Sequence, residues 1–157
     1  MAGSVKPVPE GYHLVTPYLC IKGASEAIEF YKSAFDATEL MRIPSPDGSI
    51  GHAEIQIGDS RIMISDGSPE MDFRSPATIS GTPVHVYMYV EDVDRIFAQA
   101  IAAGATAMMP PWKTNSAATA PATLVDPFGH RWYASTHKED LTEEEIAARA
   151  ARLFGEA

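Results

Sequence analysis

Tyr87-Met88-Tyr89-Val90, followed by Ile96-Phe97-Ala98-Gln99-Ala100, repeats the pattern of an earlier part of the chain. The counterparts are Tyr18-Leu19-Cys20-Ile21 and Ala27-Ile28-Glu29-Phe30-Tyr31. The offset is 69 residues on the strand and 68 after the helix, so the second helix is one residue shorter. A repeat of this size indicates two supersecondary units that bury faces which neither unit buries alone.

The repeat extends to two predicted βαβββ modules, at residues 13–66 and 84–137. We expect a flexible segment at 1–12, a linker rich in Gly, Ser and Pro at 67–83, and a helical tail at 138–157. Thr142 and Glu145 have the spacing of a capping box for the tail helix. The prediction is one α+β domain in which two curved mixed sheets form a cavity, with a helix added at the C-terminus.

Three local predictions concern where the elements begin. Strand one is predicted over His13 to Ile21, and Ser25 is predicted to cap the first helix. The stretch from Trp112 to Pro121 is predicted to be a mobile loop, with strand seven from Thr123 to Asp126 after it.

Composition excludes several classes of partner. The 157-residue chain has a formal net charge of −9 and no basic run, which disfavours binding to nucleic acid. Its apolar stretches are shorter than the roughly 18 residues that span a bilayer, so no membrane partner is expected. A single cysteine, Cys20, forms no internal disulfide, and a reducing cytoplasm is the expected location.

Longer motifs make the chain similar to a known family. They are Ala27-Ile28-Glu29-Phe30-Tyr31-Lys32, His85-Val86-Tyr87, Glu91-Asp92-Val93-Asp94, Val125-Asp126-Pro127-Phe128-Gly129-His130-Arg131-Trp132, and the segment from His137 to Leu141. They resemble the vicinal oxygen chelate superfamily, within it the glyoxalase/bleomycin-resistance group and its PhnB-like branch. The resemblance covers residues 13–145 and implies paired βαβββ modules around a cavity, commonly in a homodimer. It leaves the function open, because members include both enzymes and drug-binding proteins.

The resemblance also implies four metal-ligand positions, on the first, fourth, fifth and eighth strands. Here these positions hold Thr16, Met63, His85 and Tyr133, so only His85 matches the family's residues. Divalent ions require several carboxylate or imidazole ligands together, so we expect neither the usual metal nor another cofactor. The set of His52, Glu54 and His85 is the alternative metal site, in a two-His-one-carboxylate pattern. The competing interpretation is that His52 and Glu54 are hydrogen-bonded groups on a wet cavity wall.

Residues of alternating parity on the predicted strands define the cavity wall. They are Thr16, Tyr18, Cys20, His52, Glu54, Gln56, Met63, Ser65, His85, Tyr87, Tyr89, Tyr133 and Ser135. Aromatic and polar groups on one concave face are typical of a site for a small organic ligand. We expect the ligand to contact Tyr18, Cys20, His52, Met63, Tyr87, Tyr89 and Trp112. The alternative is that the tyrosines fill a narrow barrel while their hydroxyls reach water.

Two functions of different classes follow. The first is a metal-free protein that binds an aromatic small molecule. The second is a lyase or isomerase that uses His85 with Glu54 or Tyr133 as acid-base groups, or the alternative metal site. Cys20 beside His85 is a candidate nucleophile, although a lone buried cysteine is more often a core residue. A structural or interaction role has only the acidic helix from Glu143 to Phe154 in its favour.

Overall fold

The computed structural model describes residues 5–111 and 119–155, and this part of the chain contains eight strands. The first four are β1 (Tyr18–Ile21), β2 (Thr38–Pro44), β3 (Ile50–Ile57) and β4 (Ser60–Asp66). The second four are β5 (His85–Tyr89), β6 (Thr106–Met109), β7 (Thr119–Val125) and β8 (Arg131–His137). They form two mixed sheets with the orders β1-β4-β3-β2 and β5-β8-β7-β6. The predicted α+β fold of two βαβββ units is confirmed.

Helices connect and follow the strands. They are α1 (Ala24–Phe35), α2 (Pro76–Ile79), α3 (Val93–Ala103) and α4 (Glu143–Gly155), and a 3-10 turn covers Pro69–Met71. Helix α4 is the predicted C-terminal helix, and Thr142 and Glu145 form the expected capping box at its start. None of the described helices is long and apolar enough to cross a membrane.

The repeat persists in the pairing of the strands. In the first sheet β1 and β4 are parallel and place Tyr18 opposite Met63. In the second sheet β5 and β8 are parallel and place Tyr87 opposite Tyr133. The two sheets are therefore built in the same register, and residues at matching positions can be compared directly.

In each module, the last strand supplies a hydrogen-bond acceptor to the first turn of the module's long helix, α1 or α3. Asp66 Oδ1 accepts hydrogen bonds from the backbone N–H groups of Gly23 at 2.9 Å and Ala24 at 3.1 Å. At the matching place in the second module, Thr136 Oγ1 accepts from the N–H of Val93 at 2.9 Å. These bonds satisfy donors that a helix N-terminus leaves without partners.

The predicted cap of α1 is wrong. The helix begins at Ala24, with Gly23 as the cap residue at a φ of +89°, a conformation that glycine adopts at little cost. Ser25 therefore lies inside the helix, where its Oγ accepts from Arg42 Nη1 at 2.9 Å. Helix α3 has ordinary caps, because Asp92 accepts from Arg95 N–H at its start and Gly104 ends the helix.

Two strand boundaries also differ from the predictions. Strand β1 begins at Tyr18 rather than His13, and the pairing starts where Met63 N–H donates to Pro17 O at 2.9 Å. Strand β7 begins at Thr119, within the predicted loop. Proline fits there because β6 ends at Met109 opposite Thr123. Pro121 lies beyond that point, and within residues 5–111 and 119–155 its one ladder partner is β8, so it breaks no second ladder there.

Buried aromatic side chains join the two modules on the helix side of the sheets. Helices α1 and α3 pack against each other, and the ring centroids of Phe35 and Trp132 lie 4.7 Å apart. Tyr31 Oη donates to Asp126 Oδ2 at 2.6 Å, and Trp132 Nε1 donates to the same oxygen at 3.0 Å. Since Tyr31 belongs to the first module and Asp126 to the second, these bonds fix the modules relative to each other. The opposite faces of both sheets remain open.

Candidate functional site

The open face of the first sheet carries a chain of hydrogen-bonded polar groups. Tyr18 Oη lies 3.1 Å from His52 Nδ1, and His52 Nε2 lies 3.3 Å from Glu54 Oε1. The second carboxylate oxygen of Glu54 accepts from the hydroxyl of Tyr12. Met63 lies beside this chain, opposite Tyr18 on one strand and Glu54 on the other. We call Tyr18, His52 and Glu54 the polar triad.

Tyr12 and Arg61 hold the inner end of the polar triad. The guanidinium carbon of Arg61 lies 4.3 Å from the ring centroid of Tyr12, and Arg61 Nη1 lies 3.8 Å from Glu54 Oε2. The hydrogen bond from Tyr12 lowers the pKa of Glu54, with smaller contributions from His52 and Arg61, against burial that raises it. Glu54 is therefore held as a carboxylate, although only 12% of its side chain is exposed.

Sequence patterns did not identify Tyr12 or Arg61 as site residues. Tyr12 lies in the segment predicted to be flexible, and Arg61 is the second residue of β4, between exposed Ser60 and buried Ile62. Burial and the neighbouring carboxylate raise the pKa of Tyr12, so its hydroxyl keeps its proton and remains a donor to Glu54. The only available signal was an aromatic residue close to the start of the first module.

The open face of the second sheet carries stacked rings. His85 and Tyr133 stack with centroids 5.3 Å apart and an interplanar angle of 22°. Tyr87 stacks on the same Tyr133 ring at 5.8 Å and 8°, and Tyr89 tilts against Tyr87 at 5.2 Å. We call these four residues the aromatic row. Tyr87 is 47% exposed and Tyr89 is 66% exposed, so the row presents ring surface to solvent.

A cavity of about 500 Å³ brings the two faces together. Its wall includes Tyr18 and Cys20 from β1, His85 and Tyr87 from β5, and Phe73 from the segment between the modules. A larger groove of about 900 Å³ continues past Arg61, Tyr87 and Tyr89. Both volumes lie in the range of sites for small organic molecules. The wall of the smaller cavity joins Tyr18 of the polar triad to His85 and Tyr87 of the aromatic row.

Cys20 lines this cavity but lacks the environment of a reactive thiol. Its side chain is buried, and this burial raises the thiol pKa, with a further contribution from the nearby charge of Asp66. A thiol with a raised pKa is mostly protonated at neutral pH and is a weak nucleophile. The arrangement favours the interpretation of Cys20 as a wall residue.

The residues at the family's metal positions do not fit a divalent ion. Thr16, Met63 and Tyr133 offer a hydroxyl, a thioether and a phenol beside the single imidazole of His85. Within residues 5–111 and 119–155, no three His, Cys, Asp or Glu side chains converge as ligands. His52 and Glu54 lie together, whereas His85 stacks on Tyr133 in the other sheet. Trp112 lies outside the described residues, as does most of the predicted loop.

Comparison with known proteins identifies the family. Residues 13–133 match the model of the Glyoxalase/Bleomycin resistance protein/Dioxygenase superfamily. An uncharacterized protein of Mycobacterium bovis, Mb0911c, is 35% identical over 151 residues, which cover 94% of this chain and 95% of that protein.

Solved structures show the same fold. Protein PA1353 from Pseudomonas aeruginosa is 23% identical, with a TM-score of 0.64 over 80% of this chain and 98% of its own. A PhnB protein from Bacillus cereus, described as a putative 3-demethylubiquinone-9 3-methyltransferase, is 20% identical. Its TM-score is 0.62 over 79% of this chain and 99% of its own. The chain belongs to the glyoxalase/bleomycin resistance protein/dioxygenase superfamily and has a PhnB-like structural neighbour.

Proposed function

We propose that the protein binds a planar aromatic small molecule against the aromatic row, without the divalent metal used by many members of the superfamily. The observation that carries this proposal is the stacking of His85, Tyr133 and Tyr87 beside a cavity of about 500 Å³. Rings already stacked on one another need little reordering when a ligand joins them. The conformational cost of binding is correspondingly small.

Stacking and charge together suggest the kind of ligand. Each aromatic pair contributes about 0.5–1.5 kcal/mol beyond the burial of its area, and the row offers several rings to one flat molecule. The net charge of −9 gives the surroundings a negative potential that attracts cations. A cationic polycyclic compound is therefore the best probe.

The donor set at the family's metal positions supports a metal-free site. A phenol, a thioether and an aliphatic hydroxyl bind divalent ions poorly beside one imidazole. The ring of His85 is used in stacking on Tyr133. On this proposal the family's ligand cavity is kept, and aromatic contacts replace metal coordination.

A lyase or isomerase is the second candidate, and the polar triad is the observation in its favour. An ionised Glu54 is hydrogen-bonded to His52, and His52 meets Tyr18, which lines the cavity. This is a typical acid-base arrangement. The version that pairs His85 with Glu54 has less support, because the two side chains lie on different sheets. A catalyst changes its ligand, whereas a binding protein returns it unchanged.

Binding of proflavine, a cationic planar tricycle, tests the proposal. Fluorescence titration in EDTA is expected to give saturable binding. Tyr133→Leu is expected to weaken it about tenfold, because His85 and Tyr87 lose the ring that orders them for stacking on the ligand. Met63→Leu is the matched control, because Met63 occupies the equivalent position of the first sheet. Although Met63 is among the ligand contacts predicted from sequence, this proposal places the ligand against the second sheet, so the Kd of this variant is expected to stay within about twofold. 1-Adamantylamine, a cation without aromatic rings, is expected to bind far more weakly. Equal affinities for both ligands, or for both variants, would contradict the proposal.

The superfamily resemblance also leads us to propose a homodimer, in which a second chain could complete the site. Light scattering after size exclusion measures this directly. A mass of twice the 17.0 kDa chain is expected, and a monomeric mass would remove this part of the proposal. The cytoplasmic location suggested by the single cysteine stays a prediction.

A further inference from the structure

We propose that Tyr18 is a catalytic proton-transfer residue, with its hydroxyl activated by His52 and with Glu54 as the positioning residue. On this proposal the planar aromatic ligand carries a carbonyl group in conjugation and an acidic C–H bond next to it. The inference rests on the proposed function for the place where such a ligand would lie, in the cavity that Tyr18 lines. The activation of Tyr18 rests on the polar triad alone.

The hydrogen bonds assign the tautomer of His52. Glu54 is ionised and can only accept, so the histidine nitrogen that faces Glu54 Oε1 at 3.3 Å carries the hydrogen. That nitrogen is Nε2. In the neutral ring Nδ1 then carries a lone pair, and it lies 3.1 Å from the hydroxyl of Tyr18. The hydroxyl must donate to the imidazole.

Glu54 is fixed so that it can serve His52. Tyr12 donates to one carboxylate oxygen, and Arg61 lies 3.8 Å from the same oxygen. The other oxygen is left for His52. The hydroxyl is thus hydrogen-bonded to the imidazole, and the imidazole is hydrogen-bonded to an anchored carboxylate. In the same arrangement an imidazole acts as the base that activates a hydroxyl nucleophile.

The proton transfers balance without a metal or an oxidant. The proton of Tyr18 moves to His52 Nδ1, and the resulting imidazolium is stabilised by the charge of Glu54. The phenolate takes a proton from the carbon next to the ligand's carbonyl, and the C–H electron pair remains on the ligand as an enolate. Tyr18 returns that proton to a different carbon of the conjugated ligand, and His52 then returns its own proton to Tyr18. The net reaction is an isomerisation.

The chain contains a matched control for Tyr18. Tyr87 occupies the equivalent place in the second module, and the exposed fractions of the two residues are 46% for Tyr18 and 47% for Tyr87. Tyr87 stacks on Tyr133, whereas Tyr18 meets an imidazole nitrogen. A difference in the reactivity of their hydroxyls therefore isolates the effect of His52 from the effect of exposure.

Labelling with 4-(2-aminoethyl)benzenesulfonyl fluoride at pH 7.5 tests the activation. The phenol oxygen attacks sulfur, the S–O bond forms, the S–F bond breaks, fluoride leaves and His52 takes the phenol proton. Peptide-resolved mass spectrometry is expected to show Tyr18 labelled at least about tenfold faster than Tyr87, the range of general base assistance. Equal rates in the unmodified protein would overturn the proposal, and this comparison requires no variant.

Two substitutions locate the cause of the difference. His52→Gln is expected to lower the Tyr18 rate to that of Tyr87, while the Tyr87 rate stays unchanged as an internal standard of folding. Glu54→Gln is expected to lower the Tyr18 rate only in part, because the imidazole remains. In the unmodified protein, nitrogen-15 NMR of His52 is expected to show the Nε2–H tautomer. An unchanged Tyr18 rate in His52→Gln, or the Nδ1–H tautomer, would contradict the assignment.

The labelling uses no ligand, so its outcome is independent of the binding test. Slow labelling of Tyr18 would remove the catalytic assignment and leave the aromatic site in place. Failure of proflavine to bind would remove the proposed ligand class and leave the activation of Tyr18 in place.

Discussion

The open faces of the two sheets are built on the same register but have different chemistry. Tyr18 lies opposite Met63 in the first sheet, and Tyr87 lies opposite Tyr133 in the second. On the first face the tyrosine bonds an imidazole at 3.1 Å, whereas on the second face it stacks on a ring at 5.8 Å. The two modules therefore share one strand register, but the side chains of the first face form hydrogen bonds and those of the second face stack.

Coverage of the faces differs as well. Tyr12, from the segment before the first module, bonds Glu54 on the first face, and Phe73 packs edge-on against Tyr18 with centroids 5.2 Å apart. On the second face Tyr89 is 66% exposed. On the first face Glu54 is therefore largely covered, with 12% of its side chain exposed, whereas rings on the second face remain available to a ligand.

The largest expected effect on stability comes from Asp126, which joins the two modules. Asp126 is 3% exposed and accepts from Tyr31, Trp132 and the backbone N–H groups of Phe128 and His130. Burial and Asp126 raise the pKa of Tyr31 well above its usual value, so Tyr31 remains a donor. Asp126→Ala leaves several buried donors without a partner and is expected to lower the free energy of unfolding by roughly 3 kcal/mol or more.

Urea unfolding measures that loss. Asp140→Ala is the matched control, because Asp140 is fully exposed and its one side-chain partner among the described residues is His137. It is expected to change the free energy of unfolding by less than about 1 kcal/mol. Similar losses in both variants would mean that Asp126 does not join the modules.

The next effect concerns the first face and its dependence on pH. Tyr12 lowers the pKa of Glu54 below the ordinary value of 4.5. A lowered folded-state pKa contributes stability above the unfolded-state value, and that stability is lost as pH falls through the folded-state value. Tyr12→Phe removes the largest cause, so it is expected to cost roughly 1 kcal/mol at neutral pH and less at about pH 3.

Urea unfolding at neutral pH and at low pH checks this sign. Tyr89→Phe is the control, because it removes a tyrosine hydroxyl from the second face, where Tyr89 is exposed. Its effect is expected to be small at both pH values. A Tyr12→Phe loss that stays constant with pH would show that Tyr12 does not stabilise the charged form of Glu54.

The smallest expected effect is that of Tyr89 on the affinity for proflavine. Tyr89 stands at the end of the aromatic row and contacts only Tyr87 within it. Tyr89→Leu is expected to weaken proflavine binding about two- to fivefold, the value of one aromatic contact, which is less than the expected effect of Tyr133→Leu. Fluorescence titration compares the two. A larger effect at Tyr89 than at Tyr133 would place the ligand at the end of the row instead of against Tyr133.

Much of the fold follows from local patterns in the sequence. Alternation on β3 separates His52 and Glu54 from Ala53 and Ile55, and the structure places the first pair on the open face and the second in the core. Such alternation is local, so the chain itself specifies it. The start of α1 was misplaced because Asp66, far along the chain, supplies the contacts of its first turn.

The partners of the site residues depend on contacts that no local pattern specifies. The sequence predicted that Glu54 and His85 would lie on the cavity wall, but the position of Tyr12 decides which group bonds Glu54. His85 stacks on Tyr133 because β5 and β8 pair in parallel in that register. These contacts depend on long-range packing, which composition and periodicity do not encode.

An NMR titration of the EDTA-treated protein with proflavine tests the central claim most directly. We predict that the backbone signals of His85, Tyr87 and Tyr133 shift most, while those around Met63 change little. We also predict that binding requires no added metal. The largest shifts on the first sheet alone, or binding only after addition of Zn²⁺ or Ni²⁺, would contradict it.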